Sequence, residues 1–124
     1  MDDKAEVEVL YGTPGYMFSL ITILHKLEPW NGKNPLATDA FAKVSQVLID
    51  VTKQLVKQTT FNAPNGQILV VEFPRGKKKY VGGAHGIFGE VHMILQAMLC
   101  VPELAKDENL MKLISHTLNF LIDL

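Results

Sequence analysis

Gly82-Gly83-Ala84-His85-Gly86-Ile87-Phe88-Gly89 sets one imidazole among four glycines and runs straight into an apolar helical pattern. Glycine reaches backbone angles that other residues avoid and lets a second chain approach closely. An imidazole held in such a loop meets a ligand as acid, base or metal ligand, because histidine titrates near neutral pH. A shorter version stands earlier, Tyr11-Gly12-Thr13-Pro14-Gly15-Tyr16, again ahead of an apolar helix. Gly12/Gly15 and Gly86/Gly89 are therefore expected to be one device used twice, with His85 as the candidate catalytic residue. Tyr11, Gly12, Gly15, Gly82, Gly83, Gly86 and Gly89 are expected to form turns or to line a ligand.

Other chemistry is sparse. The sequence holds no Walker loop, no CxxC and no Ser-His-Asp set. The glycine run lacks the strand-turn-helix context and the later acidic residue of a dinucleotide fingerprint. His25 and His116 read as solvated, and His92 as a core or boundary side chain. Cys100 reads as a buried apolar thiol. Arg75-Gly76-Lys77-Lys78-Lys79 reads as a solvated turn, with an anionic lipid or phosphate as the alternative contact.

The elements that must carry these residues follow from periodicity. Tyr16 to Leu27 predicts a helix, apolar nearly all round and so buried on more than one side. Pro29 ends it, and Trp30 to Pro35 is a loop by composition. Ala37 to Gln58 predicts an outer helix: Phe41, Val44, Leu48, Val51 and Leu55 make one stripe. Asn34 or Thr38 caps its start, with Pro35 in the first turn. Asn62 to Gly66 is a turn signal. Gln67 to Phe73 and Lys78 to Val81 predict a short β-hairpin or extended loop. Gly86 to Leu99 predicts a second helix that is apolar nearly all round, stopped near Pro102. A last helix starts at Asp107 or Asn109 and runs through Leu121, on the stripe Leu110, Leu113, Ile114, Leu118 and Leu121.

Composition sets the bounds. At 124 residues and 48% hydrophobic residues, the chain is expected to be one globular domain, 1–124. A net charge of -1, with no long run of one sign, argues weakly against general nucleic-acid binding. A single cysteine cannot form an internal disulfide, which favours a reducing compartment. Met1-Asp2-Asp3-Lys4-Ala5-Glu6, acidic and without an apolar run, is not expected to act as a signal peptide, and no apolar run is long enough to predict a membrane span.

Inner helix, outer helix, inner helix, outer helix is the alternation of an α/α toroid. At this point Glu8-Val9-Leu10-Tyr11-Gly12-Thr13-Pro14-Gly15-Tyr16 resembles the motif before one inner helix of lanthionine synthetase C-like (LanC-like) proteins. Tyr80-Val81-Gly82-Gly83-Ala84-His85-Gly86-Ile87-Phe88-Gly89 resembles that family's Gly-x-Ala-His-Gly-x-x-Gly element. Order and separation match across about Glu8 to Leu124, and both motifs together point to the eukaryotic-type branch.

The resemblance implies an all-α fold, a partial α/α toroid with a short β-hairpin before the second glycine motif. It implies glutathione or peptide-thiol binding and addition of the thiol to dehydroamino acids, in the cytoplasm or peripherally at the plasma membrane. His85 matches the family histidine proposed to move a proton. Glu8 stands where bacterial cyclases tend to carry an aspartate, a departure from the pattern. The family's zinc is held by two cysteines and a histidine from the later half of its ring, and those ligands are expected to be absent here. The chain is thus expected to hold no metal or cofactor of its own and to be catalytically inactive alone. Such a partial ring would leave the apolar flanks of its two inner helices open. The alternative function is therefore a non-catalytic binding or scaffold protein that docks a partner, or a second copy, on those edges. An unrelated α/α glycosidase or prenyltransferase needs a carboxylate pair or a zinc set at the helix starts, which this chain lacks.

Overall fold

The computed structural model describes residues 12–64, 66–70, 72–73, 78–79 and 86–123. Tyr11, Gly82, Gly83 and His85 lie outside the described residues.

The fold is mostly helical. Helix α1 spans Thr13–Leu27 and passes through a single 3-10 turn, Glu28–Trp30, into α2, Pro35–Thr59. Strands β1 (Thr60–Ala63) and β2 (Gly66–Leu69) form an antiparallel ladder, as do β3 (Glu72–Phe73) and β4 (Lys78–Lys79). Helix α3 is Ile87–Cys100, α4 is the single turn Pro102–Ala105, and α5 is Glu108–Ile122.

Local chemistry explains these boundaries. Asn34 caps α2, its Oδ1 accepting from the backbone N–H of Leu36 at 3.0 Å and of Ala37 at 3.2 Å. Pro35 occupies the first helical position, where its missing N–H costs nothing. Thr38 ties the preceding loop down: its hydroxyl accepts from Gly32 N at 2.7 Å and donates to Asn34 O at 2.8 Å. Gly32 has φ +81°, a left-handed conformation that other L-residues resist. Asp107 caps α5 by accepting from Leu110 N at 3.1 Å.

The stripe read for α2 is the face that packs. Leu48, Val51 and Leu55 are buried, and Phe41 and Val44 pack half-buried against the core. The core joins them to Met17, Leu20, Ile21 and Leu24 of α1 and to Ile94 and Ala97 of α3. Each fully buried Leu, Ile, Val or Met among them contributes ~1.5–3 kcal/mol. At the other side, Thr117 of α5 fastens the first hairpin. Its hydroxyl accepts from Leu69 N at 2.9 Å and donates to Leu113 O at 2.8 Å.

Three expectations change. Thr60–Ala63, of which only Asn62 and Ala63 were assigned, to a turn, is a strand, so a second short antiparallel ladder, β1–β2, stands beside the expected pairing, which is seen as β3–β4. The turn at Pro102 is itself helical. Helices α1 and α3 are each buried on one face, not all round: Tyr16, Phe18 and Ile23 of α1 and Phe88, Leu95 and Leu99 of α3 are exposed. Among the described residues, nothing covers those second faces. No described helix is long and apolar enough to cross a membrane.

Candidate functional site

The two Gly-x-x-Gly motifs occupy the same positions in two helices. Gly12 is the N-cap of α1 at φ −128°, ψ −160°, and Gly86 is the N-cap of α3 at φ −129°, ψ −170°. Gly15 and Gly89 are the third helical residues. Gly12 O accepts from Gly15 N at 3.1 Å and Tyr16 N at 3.3 Å, and Gly86 O accepts from Glu90 N at 3.4 Å. Neither N-cap has a side chain to bond the first N–H groups; at α1, Pro14 has no N–H and Gly15 N is already spent on Gly12 O.

These angles correct one expectation. Gly12 and Gly86 are extended, a conformation open to any residue. Among the described glycines, only Gly32 and Gly66 have positive φ. What glycine supplies at the two N-caps is the absence of a side chain.

Helices α1 and α3 pack on one another. His25, in the last turn of α1, touches Cys100, the last residue of α3, with Nε2···Sγ at 3.3 Å. With their C-terminal ends together the helices run in the same sense, and their glycine-capped starts lie toward the same end. The loop from α1 to α2 is short, so α2 returns antiparallel beside α1.

At the start of α3 sits a residue that the sequence reading passed over. Glu90 is completely buried, the one acidic side chain buried among the described residues. Its Oε1 lies 2.5 Å from the Thr59 hydroxyl at the end of α2, and its Oε2 has no hydrogen-bond partner among the described residues. Burial raises its pKa to about 8, against a smaller lowering by the Thr59 contact. Thr59 Oγ1 also lies 2.8 Å from Leu55 O, which can only accept. The single hydroxyl proton of Thr59 is thus shared between the Leu55 carbonyl and Glu90 Oε1. A carboxyl titrating near 8 can give or take a proton at physiological pH. Its sequence signal was one carboxylate directly after Gly86-x-x-Gly89, at the head of an otherwise apolar helix.

Two other placements differ from expectation. His92 is exposed on the open face of α3, not in the core. Cys100 is half-buried rather than enclosed, and is paired with His25. His25 and His116 are exposed. Gly66, at φ +123°, lies so close to His116 that a Cβ there would sit 3.2 Å from the imidazole Nδ1.

Among the described residues no three His, Cys, Asp or Glu side chains converge to hold a metal ion. No known family matches the chain by sequence profile, and no solved structure matches it.

Proposed function

We propose that this chain is part of a LanC-like α/α toroid. In this reading it walls a cavity where a small thiol, glutathione or a peptide cysteine, meets a dehydroamino acid. One observation carries the reading. The same Gly-x-x-Gly device opens two packed helices that run in the same sense, each followed by an amphipathic helix buried on one face. A ring of inner helices needs its members parallel, with their ligand-facing loops at one end.

The chemistry asks little of the chain. Thiol addition forms a C–S bond at the β-carbon and leaves an enolate whose α-carbon must take a proton. His85, immediately before the N-cap of α3, is assigned that proton step through its match to the family histidine.

Zinc does not fit the residues present. The family's set needs two cysteines and a histidine, and this sequence has one cysteine, at the opposite end of α3 from Gly86. No step is routed through a metal, and the chain alone is expected to leave thiol addition unaccelerated.

Calorimetric titration of the purified chain with reduced glutathione tests the proposal. Saturable binding that weakens in His85→Ala is the expected result. No binding, or binding indifferent to that substitution, contradicts it. Tight, stoichiometric zinc binding by the chain would overturn the metal-free assignment.

The exposed faces of α1 and α3 favour a second reading, a non-catalytic docking protein. Phe88, His92, Leu95 and Leu99 step by four, three and four residues and so share one face. Leu99 is 77% exposed. Concentration-dependent association that saturates favours this reading; a monomer that excludes hydrophobic dyes argues against it.

A further inference from the structure

The joined C-terminal ends of α1 and α3 hold a second group of reactive side chains, away from the glycine-capped ends. Cys100 Sγ lies 3.3 Å from His25 Nε2. Both line a cavity of about 150 Å³ together with Glu28, Leu24, Phe41 and Gln96. Three helical elements thus bring a thiol, an imidazole and a carboxylate to one opening, and the thiol is only half-buried.

The thiol is not activated by charge. Partial burial pushes its pKa up, and the Glu28 carboxylate pushes it further. Cys100 therefore rests as the neutral thiol, its Sγ against the imidazole Nε2. Its reactivity depends on a base that takes the proton as the sulfur attacks, and His25 is in position to do so. Glu28, three residues on from His25, opens onto the same cavity. The same carboxylate is the one acidic group lining the cavity, so it favours a cationic reagent over an anionic one. The volume admits a small aliphatic group.

We propose that Cys100 is a reversible S-thiolation site, with His25 as its base, that takes a small cationic aminothiol from its disulfide. Cys100 Sγ attacks one sulfur of the disulfide. The Cys100–S bond to that sulfur forms and the disulfide S–S bond breaks. The Cys100 proton passes to His25 Nε2 and then to the departing thiolate, which leaves as a free aminothiol. Cys100 is oxidised to a mixed disulfide, and the other half of the reagent is reduced.

The test uses the full chain, in which Cys100 is the only thiol, so intact mass reports this site alone. Rates are compared for cystamine, for the neutral bis(2-hydroxyethyl) disulfide and for the anionic dithiodiglycolate. Cystamine is expected to react about fivefold faster than the neutral reagent, and dithiodiglycolate slowest. His25→Gln is expected to slow all three about tenfold or more near pH 7 and to shift the rate profile to alkaline pH. Glu28→Gln is expected to remove the order among reagents while leaving the neutral reagent at least as fast. Circular dichroism confirms that each variant folds. Unchanged rates and pH profile in folded His25→Gln overturn the role of the base. Equal rates for the three disulfides overturn the cationic preference. A single addition that dithiothreitol fails to reverse overturns the mixed disulfide.

Discussion

Glu90 puts an ionisable group where only a neutral one is comfortable, and stability must follow its titration. The folded pKa of about 8 lies above the value of an exposed carboxyl. Between those two values the folded state holds a proton that the unfolded state has released. The contribution is complete below the unfolded pKa and is lost as pH rises through the folded one. In that window stability is expected to fall by about 1.4 kcal/mol per pH unit. Glu90→Gln keeps the shape without the charge. Denaturant unfolding should find it close to wild type at pH 5, more stable at pH 8, and flatter between. A wild-type profile flat from pH 5 to 8 would mean that the carboxyl is solvated. Gly66 offers a second residue-scale check. Both its φ of +123° and the His116 ring beside it oppose a side chain. Gly66→Ala is expected to lower stability by about 1 kcal/mol or more, read from its melting temperature.

Helix α2 was legible in the sequence because three signals agree there: a five-residue apolar stripe, Asn34 as cap and Pro35 in the first turn. Thermal unfolding of Asn34→Ala should show the loss of that cap as about 1 kcal/mol. Strand β1 was hidden because the helical pattern runs without a break into Thr59-Thr60-Phe61, a β-branched and aromatic run that serves either structure. What decides is tertiary: β2 is pinned to α5 through Thr117, and β1 pairs with β2. Thr117→Val leaves the Leu69 N–H buried without its acceptor, and is expected to cost about 1–3 kcal/mol in denaturant unfolding. Helix α4 was missed because proline both ends one helix and opens the next. The matching helix starts at Gly12 and Gly86 were legible as a repeated motif. Their direction in space was not, because it depends on the meeting of His25 and Cys100, 75 residues apart.

At the scale of the molecule, the two helices read as inner are covered on one side and open on the other. Composition alone could not show this, since an apolar circumference looks the same whether or not something covers it. Phe88, Leu95 and Leu99 therefore form a surface rather than a core. Replacing Leu95 and Leu99 by lysine is expected to change stability by no more than about 0.5 kcal/mol while reducing hydrophobic-dye binding. A large loss of stability would place them inside instead.

The proposed thiol site requires the two glycine-capped helix starts to face one ligand space. Titration with reduced glutathione, followed residue by residue through backbone amide signals in NMR, tests this most directly. Signals of Gly12, Gly15, Gly86 and Gly89 are expected to move together along one binding curve. Signals of the Cys100 end should stay still, because reduced glutathione carries no disulfide to exchange. No movement at the glycines, or movement at one helix start without the other, would contradict a shared thiol site.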